Sequence, residues 1–420
     1  MGDMEKLGKP VPEKIKELEE IINSTIGTDL SQIDFENTKV AFAGKSDEEL
    51  KKAAWLFGLM NKYWLVGIGS KLGLAAIKMH LPFVESIVKN TIYQQFCGGT
   101  TLLETEKTVE KLAKQNTNTV LDFGAEAKES ETDFNHTMNE TIRALEFASH
   151  NENVSVVSSK ITGMARFALL EKISKGAELN SEEEDEYKNV LKRMDSVCYV
   201  AKEKNVSIYF DAEESWIQAA LDQLVNMMMQ RYNTESAIVF NTFQMYRTDR
   251  LKYLMESFNK AKSAGYFFGA KLVRGAYMDK ERDRAEDKGY PSPIHVKKAH
   301  TDHDYNTALK FCIENYERIS CCNATHNAES SLLMARMIES NKIPRNHPHM
   351  QFCQLYGMSD NITFNLSNAG FNVSKYVPYG PVREVVPYLI RRAQENSSVT
   401  GDMSRELSLV IREMKRRGLD

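Results

Sequence analysis

Much of what this chain can be is settled by what it lacks. Its six cysteines (Cys97, Cys198, Cys312, Cys321, Cys322, Cys353) include no pair of C-x-x-C units. That excludes a zinc ribbon and a disulfide framework, and a reducing compartment is expected. A dominant charge is missing too: 54 basic side chains face 58 acidic ones, for a formal net charge of -4. There is no general attraction for a polyanion, so no nucleic-acid partner is expected. In the apolar stretch 55–84, Lys62, Lys71 and Lys78 keep every run below the roughly 18 uncharged residues of a spanning helix. The opening Met1-Gly-Asp-Met-Glu-Lys-Leu-Gly-Lys has neither the apolar core of a signal peptide nor the acid-poor, Arg/Ser-rich character of a transit peptide. What remains, 42% hydrophobic and 27% charged residues, is ordinary for a globular chain and excludes disorder and collagen-like repetition.

The pattern changes once along the chain. Residues 1–117 read as a helical region: apolar residues recur at helical spacing in Lys14-Ile-Lys-Glu-Leu-Glu-Glu-Ile-Ile, and Ser46-Asp-Glu-Glu49 is a capping box ahead of residues 50–64. Gly67-Ile-Gly-Ser-Lys-Leu-Gly73 imitates a dinucleotide fingerprint but has one residue too many before its third glycine, so a helix turn is expected. The stretch 55–84 reads as a helix hairpin, with contact to a bilayer as the second reading. From residue 118 to 420, eight β-branched or aromatic runs (119–123, 154–158, 206–210, 237–240, 267–273, 321–324, 350–355 and 373–377) alternate with amphipathic segments. The predicted fold is an α/β (β/α)8 TIM-like barrel with an N-terminal helical extension; an open doubly wound sheet would need fewer strands. The acidic run Ser181-Glu-Glu-Glu-Asp-Glu is expected to be a solvated connection.

In such a barrel, chemistry gathers where strands end, because that rim alone brings many strands around one cavity. Here all eight ends are polar: Asp122 and Glu126, Ser158-Ser-Lys160, Asp211-Ala-Glu213, Asn241-Thr-Phe-Gln244, Lys271-Leu-Val-Arg274, Ala324-Thr-His326, Gln354-Leu-Tyr356 and Tyr376-Val-Pro-Tyr379. Tyr388, Arg391, Arg392 and Glu395 follow at i, i+3, i+4 and i+7, on one helical face that Pro387 is expected to start. A surface pair of Arg391 with Glu395 is the bland reading; two adjacent guanidiniums also make a fork for a small carboxylate. Asp122, Asp211 and His326 raise a metal-hydrolase barrel, but Lys160, Lys271, Arg274, Arg391 and Arg392 would repel a divalent ion, so no metal is expected. Such a rim is suited to an anion.

Asp211-Ala-Glu-Glu, Lys271-Leu-Val-Arg-Gly-Ala-Tyr277, Thr325-His-Asn327, Tyr376-Val-Pro-Tyr-Gly and Tyr388-Leu-Ile-Arg-Arg-Ala-Gln-Glu395 resemble the proline dehydrogenase family in order and spacing. The likeness runs from about Leu121 to Gly418 and is nearest the monofunctional, mitochondrial animal-type branch. It implies a distorted barrel that binds FAD over the strand ends and oxidises L-proline to Δ1-pyrroline-5-carboxylate, with a quinone taking the electrons. By the same resemblance Lys271, Asp211 and Lys160 are catalytic. Lys160, Tyr277, Leu355, Tyr376, Tyr388, Arg391 and Arg392 bind proline, while Glu126 gates the site and Glu395 supports the arginines. Ala212, Asn241, Lys271, Arg274, Gly275, Ala276, Thr325 and His326 hold FAD.

Two positions depart from many bacterial members, which resemble this chain but carry arginine at the place of Lys271 and glutamine at that of Asn241. Lysine keeps the charge and loses the fork geometry, so redox tuning differs while the reaction does not. Tyr376 favours proline over 4-hydroxyproline, since the related hydroxyproline enzymes tend to have a small residue there. The competing readings are hydroxyproline dehydrogenase and a metal-dependent hydrolase. Because quinones reside in membranes, peripheral contact through the N-terminal region is expected. The location is then cytoplasmic and membrane-associated in a bacterium, or the mitochondrial inner membrane or matrix in a eukaryote.

Overall fold

The computed structural model describes residues 33–61, 84–124, 128–397 and 402–419. Strands β1 (Asn118–Phe123), β2 (Val154–Ser159), β3 (Ser207–Phe210), β4 (Val239–Gln244), β5 (Phe268–Val273), β6 (Ile319–Ala324), β7 (Met350–Leu355) and β8 (Val373–Tyr379) form a closed barrel in chain order. All pairs are parallel, and β8 closes on β1 with Leu121 opposite Val377. All eight strands fall on the expected runs. The one substantial extension is β4, which continues through Gln244 where a loop was expected.

Alternation along each strand separates two cores. Leu121, Val157, Ile208, Val239, Phe243 and Leu272 point outward into the apolar layer beneath the helices. Val120, Val156, Tyr209, Phe240, Cys322, Cys353 and Tyr376 point inward and fill the barrel. The interior is therefore packed, and in a barrel of this kind a ligand is expected above this plug, in a cavity at the carboxyl ends of the strands.

Local signals set the helix limits. Ser46 and Glu49 form the expected capping box of the helix Asp47–Met60. The acidic run at Ser181 is not a connection: it is the first turn of Ser181–Lys204, capped reciprocally by Asn180 and Glu183. Carboxylates there meet the unpaired N–H groups and the positive end of the helix dipole, which a charge count along the sequence does not reveal. The last barrel helix begins earlier than expected, at Val382, with Pro387 inside it. A further helix, Asp402–Arg417, follows.

Helix Asp47–Met60 does not stand apart from the barrel. Leu50, Phe57 and Phe96 share one apolar cluster with Val385, Leu389 and Val410 of the last two helices. Early and late parts of the chain thus hold the helix Val382–Ser397 over one side of the rim. The expected helix near residue 14, most of the stretch 55–84 and the Gly67–Gly73 motif lie outside the described residues. Among the described residues, no helix is long and apolar enough to cross a membrane.

Candidate active site

Four inward-facing charges meet at the rim. Asp211, just past β3, accepts Lys271 Nζ at 2.5 Å, the Tyr376 hydroxyl at 2.7 Å and the Ser158 hydroxyl at 3.2 Å. Lys160 Nζ lies 3.6 Å from Asp122 and 4.0 Å from Asp211. The Lys271 ammonium also faces the Tyr376 ring, 4.6 Å from its centroid. Side chains from β1, β2, β3, β5 and β8 thus converge as the strand-end polarity predicts. The two carboxyls, however, are not equivalent. Burial would raise both; at Asp211 the charges of Lys271 and Lys160, with the Lys271 and Tyr376 hydrogen bonds, outweigh it and hold the carboxyl below its ordinary value. At Asp122 burial prevails over the pull of Lys160 and pushes the carboxyl up to about 6.

The rim is less cationic than its lysines and arginines suggest. Asp122 and Asp211 match Lys160 and Lys271, Glu395 accepts Arg392 Nη2 at 2.5 Å, and Asp302 accepts Arg274 Nη2 at 2.7 Å. Buried charge requires such partners, and all of these but Glu395 lie far from theirs in the sequence. Among the described residues, no group of three or more His, Cys, Asp or Glu is arranged to hold a metal ion.

The helix Val382–Ser397 brings its arginine stripe to the same cavity. Arg392 is buried, its guanidinium 5.0 Å from the Tyr388 ring centroid, and Arg391 lies 5.7 Å from that of Tyr277. Burial raises the Glu395 carboxyl against the attraction of both arginines. Leu355, half-buried, packs against both the barrel plug and the cluster containing Tyr388. Glu126 lies outside the described residues.

Past β5 and β6 lies a second polar group. Arg274 donates to Thr325 Oγ1 at 2.6 Å and to Ser330 Oγ at 3.0 Å, and its face covers Tyr305. Gly275 adopts φ 140°, and a Cβ there would run into the Tyr246 ring, so only glycine suits this turn. Ala276 beside it is exposed, whereas Ala212 is buried next to Asp211. His326 is half-buried with Nδ1 2.9 Å from Ser359 Oγ. Burial, then the charges of Arg392, Lys375 and Arg274, lower its pKa to about 3.

One expected residue is displaced. Asn241 faces away from the cavity: its Nδ2 donates to Asp222 Oδ1, at 2.9 Å, on the helix Ser215–Tyr232. Once β4 extends to Gln244, alternation from the inward Phe240 turns Thr242 and Gln244 into the barrel, with Thr242 beside Lys271 in register. Thr242 Oγ1 and Gln244 Oε1 are buried without a hydrogen-bond partner among the described residues, as are Asp122 Oδ1 and the Tyr388 hydroxyl. Each such atom costs about 1–3 kcal/mol if left unpaired. One pair lies on the β4 side and the other involves the last barrel helix, an arrangement suited to two polar guests.

Sequence reasoning also missed a buried ion pair behind β8. Lys375, fully buried, meets Asp360 at 2.8 Å, and Asp360 also meets Lys45 at 3.2 Å. Burial would raise Asp360, but the two lysines bring its pKa down to about 2 from 3.8. Its stabilisation is fully present above pH 3.8 and is lost as pH falls through 2. Asp360→Asn is expected to destabilise the protein by about 2–4 kcal/mol at neutral pH, because Lys375 loses its counter-charge. Urea melts at pH 7 and pH 3 check this: the variant's deficit shrinks at the lower pH, and an undiminished deficit would contradict the assignment.

Comparison with known proteins fits this geometry. The family described as proline dehydrogenase matches residues 105–405, from just before β1 into the second-last helix and beyond. The chain belongs to the proline dehydrogenase family. Among its relatives, proline dehydrogenase 1, mitochondrial, of Dictyostelium discoideum is 32% identical over 401 residues, covering 85% of this chain and 69% of that protein. The carbapenem antibiotics biosynthesis protein CarD of Pectobacterium carotovorum is 31% identical over 349 residues, covering 83% of this chain and 90% of that one. In fold, the chain resembles proline utilization A from Bdellovibrio bacteriovorus, with a TM-score of 0.67 at 20% identity. That match covers 92% of this chain but only 41% of the other, longer one. The proline dehydrogenase family comprises oxidoreductases of proline catabolism that are generally flavin-dependent.

Proposed function

We propose that the barrel binds FAD and oxidises L-proline to Δ1-pyrroline-5-carboxylate. The reading rests on one observation above all: a family member's inward Asp211–Lys271–Tyr376 network lies beneath a helix that carries a buried arginine and its neighbour. Bound FAD would supply the acceptor for the hydride that proline loses from the ring carbon next to nitrogen, with a quinone as the final electron acceptor.

The residues present fit these guests. Lys271, Thr242, Gln244, Ala212, Arg274, Gly275, Ala276, Thr325 and His326 would hold the flavin nucleotide. The unpaired oxygens on β4 await donors, and the glycine turn leaves backbone open to a close approach. Arg391 and Arg392 would clamp the proline carboxylate and orient the ring. Lys160 joins them, with Tyr277, Leu355, Tyr376 and Tyr388 as walls. Proline must present a neutral amine for its lone pair to expel the hydride; removal from water disfavours its ammonium form, so that the proton leaves to solvent first. Glu126 would gate the site and Glu395 steady the arginines. Trp55, Ile87 and Leu103, exposed apolar residues before the barrel, support peripheral membrane contact for quinone reduction.

The absorption spectrum of the purified protein tests the whole reading. A flavin spectrum that bleaches on adding proline is expected; a colourless protein that refuses added FAD and ignores proline would sink it. Specificity has its own test. The Tyr376 hydroxyl, 2.7 Å from Asp211, fixes a bulky ring at the inner wall. Tyr376→Ser is expected to narrow the kcat/KM gap between proline and 4-hydroxyproline about tenfold, the scale of one pocket contact. An unchanged ratio would reject the steric role.

A further inference from the structure

We infer that Glu406, on the helix Asp402–Arg417, is a positioning residue that sets the tautomer of His326. The histidine then turns a lone pair on Nε2, not an N–H, towards the bound cofactor. The identity of that guest rests on the flavin reading above; the tautomer does not.

The hydrogen bonds run in one direction. Oε1 of Glu406, which is buried, accepts the backbone N–H of Ser359 at 2.9 Å and lies 3.2 Å from its hydroxyl. A carboxylate offers no proton, so the Ser359 hydroxyl donates to it. Burial and nearby Asp360 raise the Glu406 carboxyl, but the carbonyl oxygen of a protonated acid would accept the same two bonds. With its only proton used, Ser359 Oγ can meet His326 only as an acceptor. The Nδ1 nitrogen 2.9 Å away must therefore carry the proton. The opposite arrangement would set lone pairs of Ser359 and Glu406 against each other.

Two further observations support a built device. Ser359 holds φ 50°, a left-handed conformation that costs a non-glycine residue energy and persists where surroundings over-determine it. The two bonds to Glu406 do so, and they aim the hydroxyl at the ring. In addition, His326 stays neutral because it is buried among Arg392, Lys375, Arg274 and Arg405, the condition under which one ring nitrogen keeps its lone pair. Glu406 thereby links a helix outside the barrel to the strand-end rim through two hydrogen bonds in series.

Nitrogen NMR of the flavin-bound protein labelled in histidine provides the test, with H326Q identifying the resonances of this ring. An unprotonated ring nitrogen resonates far downfield of a protonated one, and the wild type is expected to show that signal at Nε2. E406Q keeps an acceptor oxygen and should preserve the pattern. E406A frees the Ser359 hydroxyl to donate to Nδ1, so the proton should move to Nε2 and flavin retention should weaken by about tenfold, as for one lost hydrogen bond. S359A removes the link while leaving the Glu406 side chain in place, and should likewise erase the Nδ1 preference even if E406A does not fold. A wild-type ring protonated at Nε2, or an unaltered pattern in both E406A and S359A, would overturn the relay. A shifted tautomer with unaltered flavin retention would overturn its assignment to the cofactor. Should the protein bind no flavin, the tautomer can still be read in the flavin-free protein, so that failure is separate from this one.

Discussion

Arg392→Met is expected to weaken proline binding by two orders of magnitude or more while leaving the flavin bound. The guanidinium is buried, stacked near Tyr388 and held by Glu395 at 2.5 Å, so its geometry is set before a carboxylate arrives. Hydrogen bonds of a pre-positioned charge to an anion contribute about 1.5–3 kcal/mol, and a carboxylate left without its partner costs more. The methionine also leaves the Glu395 carboxylate with less positive charge beside it, further opposing an anionic guest. Steady-state kinetics with the flavin spectrum as control measure the effect. A raised KM with unchanged flavin content is the expected result; turnover at unaltered KM would remove Arg392 from the substrate site.

Asp211→Ala should have the larger effect on the protein as a whole. Lys271, Tyr376 and Ser158 all donate to this one carboxylate, and Lys160 lies at its edge. Removing it leaves Lys271 buried without its counter-charge, a change that costs about 3–5 kcal/mol. The Tyr376 ring and the Lys271 ammonium would lose their common anchor, so kcat should fall together with stability. Asp211→Asn separates the two effects, since the amide still accepts from Tyr376 but cannot balance a lysine. It should recover part of the thermal stability and little of the activity. Equal recovery of both would show that Asp211 serves folding alone.

The strands were legible because each is a short β-branched or aromatic run bounded by polar residues, and eight such runs alternating with helices admit few topologies. Lys271, Asp211 and Tyr376 could be placed at strand ends for the same reason. Asn241 could not. Its side depends on where β4 ends, and a boundary moved past Gln244 brings Thr242 and Gln244, not Asn241, to the cavity. The inward Phe240 held the signal, since a period of two counted from it turns Asn241 outward.

Charge was misjudged for a different reason. A sequence shows that Lys160, Lys271, Arg274 and Arg392 share a rim and that Glu395 lies one helical turn from Arg392, but not that Asp122, Asp211 and Asp302 neutralise the other three. Such pairs join residues far apart in the chain, and desolvation enforces them only after folding has brought the groups together. Lys375 and Asp360 are the extreme case, a buried pair that no local pattern announces.

Periodicity and strand-end chemistry therefore determined the barrel, its count of strands and the rim where chemistry gathers, because each is a property of consecutive residues. Which side of β4 faces inward, which charges remain for a ligand and which nitrogen of His326 holds the proton were decided by tertiary structure alone. These depend on the pairing of buried polar groups, and low-dielectric surroundings make that pairing obligatory only once distant segments meet.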